Sequence, residues 1–351
     1  MTQLSDLYLV VMAGGTGTRF WPKSTSKKPK QLLYFGGKKT ETLLGQTLLR
    51  FDNFIPKKHQ MIVTTHALEG AVHEQIRDVE ILAEPQGRNT APCIYWAARK
   101  IAKENPRGVM LVMPSDHFIF KLSSFKKTVQ SACEWARNNS DLITLGIKPS
   151  RPETGYGYLK LGKKLSDDCQ QVEAFVEKPN LGKAKEFVQS GQYLWNGGMF
   201  VWRVDVLLQA FDACMPEMRK AWEGSSENVQ LAYPIMTATS IDYGVMEKAK
   251  NVVTFALDCG WDDLGSWVSL EGLTEVLHCK HTSGVVTAGE VIAIDSTGNI
   301  IDVPGKLICL LGIDNLIIAQ HGNSLLIAKK ERAQEIKQIV EKVKAQHPAL
   351  A

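Results

Sequence analysis

Residues 7–19 read LYLVVMAGGTGTR, an apolar run that ends abruptly in glycines. Six apolar residues with no helical spacing read as a buried strand. Gly14, Gly15 and Gly17 let backbone N–H groups turn toward phosphate oxygens without a Cβ in the way. Thr18 sits in the same turn, and Arg19 adds a forked cation suited to phosphate. No Gly-Lys-Ser/Thr follows, so this is not a Walker loop, and Phe20 stands where a dinucleotide fingerprint would need its third glycine. Taken alone, the loop is equally well a plain tight turn after a strand.

Working outward, apolar runs at 60–64, 80–83, 109–113 and 142–146 alternate with helical patterns at 42–51, 67–76, 90–104 and 123–137. Strand–helix–strand alternation predicts an α/β fold: a Rossmann-like mixed, mostly parallel sheet with helices on both faces. Such sheets bind ligands at the carboxyl ends of their strands, where the loops after Met12 and Met113 should lie. Further on, 156–161, 171–176, 198–203 and 252–257 read as strands, and 181–190 and 240–249 as helices. From 284 the texture changes to short β-rich runs at 291–294, 300–303, 307–311, 316–319 and 325–328, with turn signals between them, including Pro304–Gly305. A small β-rich unit is expected there, either a β-helix stub or a meander. It is closed by a helix over 329–346 with Ile336, Ile339, Val340 and Val343 on its docked face. The division expected is a catalytic domain over 1–280 and a small β-rich domain over 281–351.

Composition narrows the function. Hydrophobic residues make up 44% of the chain, enough for a sizeable core, and the net charge is only +4, which speaks against a nucleic-acid partner. Residues 1–60 nevertheless hold ten Lys/Arg against three Asp/Glu, a local cationic zone that suits a small polyanion. Residues 1–6 lack a basic n-region, and the apolar run 7–13 is too short for a signal h-region or a membrane span, so a cytoplasmic protein without a membrane partner is expected. The seven cysteines are scattered, with no C-x-x-C, as for reduced, mostly buried thiols. His59, His66, His73 and the pair His278 and His281 around Cys279 lack metal-ligand context and read as ordinary structural residues.

The stretch after the loop changes the balance. Trp21-Pro22 leads into Lys27-Lys28-Pro29-Lys30-Gln31-Leu32. Pro29 fixes φ and lacks a donor N–H, which makes this an ordered loop from which Lys30 can return over the same phosphates. Together GGTGTRFWP and KPKQL resemble the signature of the sugar-1-phosphate nucleotidyltransferases, and the resemblance continues to about Trp267. Glu84-Pro85 with Arg88-Asn89-Thr90-Ala91-Pro92 is similar to the pattern of that family's mannose-1-phosphate guanylyltransferases, where the region lies against the base. Guanine offers an N1–H and an amino group as donors, and Glu84 and the Asn89 side-chain oxygen are the candidate acceptors. Asn89-Thr90 also reads as a helix N-cap.

The resemblance implies Mg²⁺ as cofactor, with Asp116 of Pro114-Ser115-Asp116-His117 as one ligand, in keeping with hard-cation chemistry. Asp263 of Trp261-Asp262-Asp263-Leu264 is the second implied ligand, preferred over Asp262; its other reading is a helix cap. On the sugar side the resemblance implies Gly157 in Gly155-Tyr156-Gly157-Tyr158, Glu177 and Lys178 in Glu177-Lys178-Pro179, and Asn196. Gly197 departs from the family's serine after Trp-Asn, which puts the pocket wall in doubt. The segment 240–248 matches as well, and reads equally as a capped amphipathic helix.

The expected substrates are therefore GTP and mannose 1-phosphate, and the reaction is displacement of pyrophosphate by the sugar phosphate. Arg19 and Lys30 are the expected catalytic cations. Another base or sugar is the same-class alternative. An inactive nucleotide-sugar-binding relative is the other, against which the intact Lys30, Asp116 and Asp263 argue. The sequence also allows a homodimer.

Overall fold

The strand Leu7–Met12 is the third strand of a nine-stranded sheet in the computed structural model, which describes residues 6–15, 17–35 and 41–350. Thr16 of the glycine loop and residues 1–5 lie outside the described residues. Glu80–Glu84, Gln60–Thr65, Leu7–Met12 and Val109–Pro114 run parallel in that spatial order. The long strand Tyr193–Arg203 then enters antiparallel to Val109–Pro114 and to Leu142–Ile147. Val252–Leu257 pairs parallel with Leu142–Ile147, and Cys169–Glu177 and Gly157–Lys164 complete the sheet antiparallel. The sheet is thus α/β and mixed, with its parallel half at the N-terminal end.

Successive strand residues face opposite sides, and both sides are covered here. Tyr8, Val10, Met110 and Val112 pack with Ala91, Ile94, Tyr95 and Ile101 of the helix Thr90–Glu104. Leu7, Leu9 and Val11 point the other way and are fully buried too. The helix Leu122–Asn138 lies on Tyr193–Arg203 and Val252–Leu257, with Trp135 edge-on to Phe255. Burial on both faces explains why these strands read as continuous apolar runs.

Contacts divide the chain into two units. One comprises Met1–Gly14, Arg50–Pro114 and Lys121–Trp261, and holds the sheet. The other comprises Gly15–Leu49, Ser115–Phe120 and Asp262–Ala351. It is built around Phe20, Trp21, Leu33, Leu264 and Trp267, with Ile300, Ile317, Ile336 and Val340. Its five-stranded sheet lies in the C-terminal part of the chain, before the last helix. Gly284–Ile294, Asn299–Leu311 and Leu316–His321 run parallel, flanked by antiparallel Lys280–His281 and Ser324–Lys329. Parallel coils make this β-helix-like rather than a meander. Buried Asn299 turns one corner: its amide donates to the Ile313 carbonyl and accepts from the Leu316 N–H.

Several expectations need correcting. The turn expected at Pro304–Gly305 lies inside the continuous strand Asn299–Leu311, where the register shifts against Gly284–Ile294 and Gly289 and Gly305 take positive φ. The final helix is α only over Ile336–Gln346, after a 3-10 stretch; Ile336 and Val340 are buried, whereas Ile339 is exposed. The helix expected over 240–249 is a single π turn at Asp242–Met246. Among the described residues no helix is long and apolar enough to cross a membrane.

Candidate active site

Lys30 opens a short 3-10 turn, Lys30–Leu32, directly after extended Pro29. Its side chain is held on three sides. Nζ lies 2.7 Å from Asp116 Oδ2 and donates to the carbonyls of Asp263 at 2.5 Å and Leu264 at 3.0 Å. Although Lys30 is only 6% exposed, its charge is therefore compensated. Burial pushes the Asp116 carboxyl up, but the Lys30 ammonium and His117 outweigh it and hold that group below its ordinary value. The pair's stabilisation is thus present above the ordinary carboxylate range and is lost as pH falls.

The two halves of the signature meet at Gly17. This residue has φ 54°, and a Cβ there would come within 2.5 Å of Lys30 Cβ and 2.7 Å of its backbone N. Glycine is thus required both by conformation and by the close passage of Lys30. Gly17→Ala should cost at least about 1–2 kcal/mol from the left-handed conformation alone. It should also displace Lys30 and lower kcat at least about tenfold, as measured by thermal denaturation alongside steady-state assays. The loop is further tied by Ser24 Oγ donating to the Gly17 carbonyl (2.7 Å) and Gln31 Nε2 donating to that of Gly15 (2.8 Å). Thr18 and Arg19 lie on the turn Thr18–Phe20, and the exposed Arg19 guanidinium donates to Gln334.

The two neighbouring aspartates have different surroundings. Asp262 is buried, and its Oδ1 accepts the Leu264 N–H at 2.8 Å. Asp263 is half-buried, and the following 3-10 helix, Trp267–Leu273, is capped by Ser266 and not by Asp263. Among the described residues no group of three or more His, Cys, Asp or Glu is arranged to hold a metal. Two carboxylates are the donor set that Mg²⁺ uses when substrate phosphates and water complete its shell, so Asp116 and Asp263 fit that ion.

The sheet unit carries the remaining candidates. Glu84 ends its strand 4% exposed; Oε1 accepts from the Tyr233 hydroxyl, and Oε2 lies beneath Gly14, 2.9 Å from where a Cβ would stand. Burial pushes the Glu84 carboxyl up to about 7 against the Tyr233 bond. With the folded value raised, stability is full below about pH 4.5 and falls as pH rises toward 7. Glu84→Gln should therefore stabilise the fold by up to about 3 kcal/mol at pH 8 and change little at pH 4, measured by urea unfolding at both.

Asn89 is the N-cap of Thr90–Glu104, its Oδ1 accepting from Thr90 N, while Thr90 Oγ1 accepts from Ile241 N at 2.8 Å. Arg88 donates to the Met236 carbonyl, and Ala91 N to that of Thr239. The segment 233–241 is thereby strapped along 84–91.

That strap continues into the other cluster. Asp242 Oδ1 accepts from Asn196 Nδ2 at 2.7 Å, and Asn196 Oδ1 accepts from Thr144 and Gly198 N. Burial raises the Asp242 carboxyl, and Glu177 adds to the effect. Glu177 pairs with Lys178 at 3.1 Å, and Gly157 leaves room for the Glu177 carboxylate, with which a Cβ would collide. Lys178 itself has φ 48°, an unfavourable conformation for a residue with a side chain. Gly197 also acquires a reason. A Cβ there would come within 2.7 Å of the Leu145 carbonyl, so the family's serine has no room.

Structure thus brings Lys30, Asp116 and the backbone of Asp263 together in one unit. It brings Glu177, Lys178, Asn196 and Asp242 together in the other. Asp242 and Tyr233 were missed as site residues. The signal for Asp242 was the matching segment 240–248; Tyr233 carried none.

Comparison with known proteins shows the family to which the chain belongs. Residues 8–278 match the family model described as Nucleotidyl transferase, and 289–343 match that of the MannoseP isomerase/GMP-like beta-helix domain. The chain belongs to the nucleotidyl transferase family. Within it, the chain is 35% identical to a mannose-1-phosphate guanylyltransferase of Escherichia coli, over 96% of this chain and 75% of that one. It is 34% identical to the alginate biosynthesis protein AlgA of Pseudomonas aeruginosa, over 96% and 72%. A crystal structure described as mannose-1-phosphate geranyltransferase, from Thermus thermophilus, superposes with a TM-score of 0.88 at 30% identity, covering 97% of this chain and 99% of that one.

Proposed function

We propose that the protein transfers GMP from GTP to α-D-mannose 1-phosphate, giving GDP-mannose and pyrophosphate. The observation that carries this reading is Lys30, buried against Asp116 and the backbone of Asp263, with Gly17 leaving room for its close passage. A phosphate monoester has a second pKa of about 6, so the attacking oxygen is already ionised at neutral pH and needs no general base. The obstacle is charge: two anions must approach and pyrophosphate must leave. Lys30 offers its ammonium to the α-phosphoryl group, and Arg19 with the amides of Gly14, Gly15 and Gly17 offers donors to the β- and γ-phosphates. Asp116 and Asp263 would hold Mg²⁺, which supplies Lewis-acid stabilisation and a template when bound. We assign Glu84 and Asn89 to the base, and Gly157, Glu177, Lys178 and Asn196 to the sugar phosphate. Turnover with a panel of GTP, ATP, UTP and dTTP against mannose and glucose 1-phosphates tests the specificity. GTP with mannose 1-phosphate should give the highest kcat/KM, and a higher value for any other pair would overturn the assignment.

A homodimer is the proposed assembly. The β-helix presents Ile292, Ile294, Leu307 and Leu311 to solvent, with Ile294 and Leu311 in register on adjacent strands and 58% and 72% exposed. Contiguous exposed apolar residues are a common mark of a subunit interface. Light scattering should give twice the chain mass, and the single-chain mass for a doubly substituted Ile294→Glu, Leu311→Glu variant. The cytoplasm is the proposed compartment, since all seven cysteines are free thiols.

A further inference from the structure

The unit that holds Lys30 contains a cavity of about 470 Å³ that none of the site residues above lines. One wall is the loop that carries Lys30, through Lys23, Lys28, Leu33, Tyr34 and Phe35. The other is the β-helix, through Val286, Ala288, Asp302 and Pro304, with Gln320 and His321. Its volume falls within the ordinary range for small-molecule sites.

The lining has two chemical halves. Lys23 is fixed by an ion pair with Asp302 at 2.8 Å, and buried Asp302 also accepts from Thr287 Oγ1. Lys28 is different: its ammonium stands 5.5 Å from the centre of the Tyr34 ring, and among the described residues no carboxylate pairs with it. It is a half-buried cation available to an anion, and the imidazoles of His278 and His321 add donors on the same lining. Leu33 and Phe35 from the loop and Val286 and Pro304 from the β-helix make the rest of the lining apolar, which suits a flat ring. Inorganic phosphate or a sugar phosphate would leave those apolar residues uncovered, whereas a nucleotide would use both halves.

We propose that this cavity is a second nucleotide site, with the phosphates at Lys28 and the base against the apolar residues of the lining. It also reaches the first. Leu33 lines the cavity, and its N–H donates to the Lys30 carbonyl at 3.0 Å, so an occupant bears on the turn that sets the catalytic lysine.

Isothermal titration of the full chain with GDP tests this by stoichiometry. The inference rests on the catalytic reading only for the first equivalent. The wild type should bind two equivalents. Ala288→Trp, which fills the cavity, should bind one, and Gln320→Glu, which adds a negative charge to its lining, should weaken the second site at least about tenfold. An unchanged circular dichroism spectrum and urea unfolding midpoint show that each variant is folded. One equivalent in the wild type that survives in Ala288→Trp overturns the proposal, as do two equivalents in both variants. One equivalent that Ala288→Trp removes sustains this site and instead contradicts GDP binding at the catalytic one. Titration with mannose 1-phosphate in the same proteins should show no heat that Ala288→Trp removes, and such heat would overturn the assignment to a nucleotide.

Discussion

Lys30→Ala should lower kcat by about a hundredfold or more, the effect of removing a stabiliser worth roughly 2.7–4 kcal/mol in the transition state. The structure adds a consequence that the sequence did not show. Lys30 also neutralises Asp116 and satisfies two backbone carbonyls, so alanine leaves a carboxylate and two acceptors without their donor. A stability loss of about 1–3 kcal/mol should accompany the kinetic one. Lys30→Arg separates the two effects. It restores a cation near Asp116, and with it part of the stability, but a planar fork does not replace a compact ammonium on three converging acceptors, so kcat should stay low. Steady-state rates and urea unfolding on the same preparations decide this. Full turnover in Lys30→Ala would remove the lysine from the mechanism.

Asp263→Asn should be the second most damaging change, and the neighbouring Asp262 supplies the contrast. Losing one of two carboxylates from a Mg²⁺ set should raise the Mg²⁺ concentration for half-maximal rate and lower kcat by a hundredfold or so, since metal stabilisation of phosphoryl charge is worth several kcal/mol. Asp262→Ala should do something else. Its carboxylate accepts the buried Leu264 N–H, so its loss should cost about 1–3 kcal/mol of stability with the Mg²⁺ requirement unchanged. A Mg²⁺ titration of activity in both variants distinguishes them. Equal shifts in the two would place the metal function on the wrong residue or on neither.

How much could be read from the sequence depended on how local the cause was. The strand at 252–257 and the helix at 181–190 were read with the observed bounds, because a buried run and a capped amphipathic pattern are local signals. Strand Tyr193–Arg203 was read only in its second half, and its insertion between Val109–Pro114 and Leu142–Ile147 has no local sign at all. The helices Val204–Cys214 and Pro216–Gly224 went unread.

At the site the distinction is the same. The glycine loop and Lys30 could be seen as a motif, but the contact between Gly17 and Lys30 that makes glycine necessary is tertiary. Asn89 was legible as a cap and is one. Tyr233 meets Glu84 across 149 positions of sequence, and no pattern in either stretch announces the other. The segment at 240–249 has helical periodicity, yet only a π turn forms around Asp242, whose carboxylate bonds to Asn196. π turns of this kind often accompany functional residues.

We propose nucleotidyl transfer from GTP to a sugar phosphate, with Mg²⁺ as the expected cofactor. The most direct test is incubation with GTP labelled at the α-phosphorus and mannose 1-phosphate, with chromatography of the products. The expected result is label in GDP-mannose with one pyrophosphate released per labelled product, and neither product in Lys30→Ala at the same time point. Label that stays in GTP, or leaves it only as free GMP, would contradict the account.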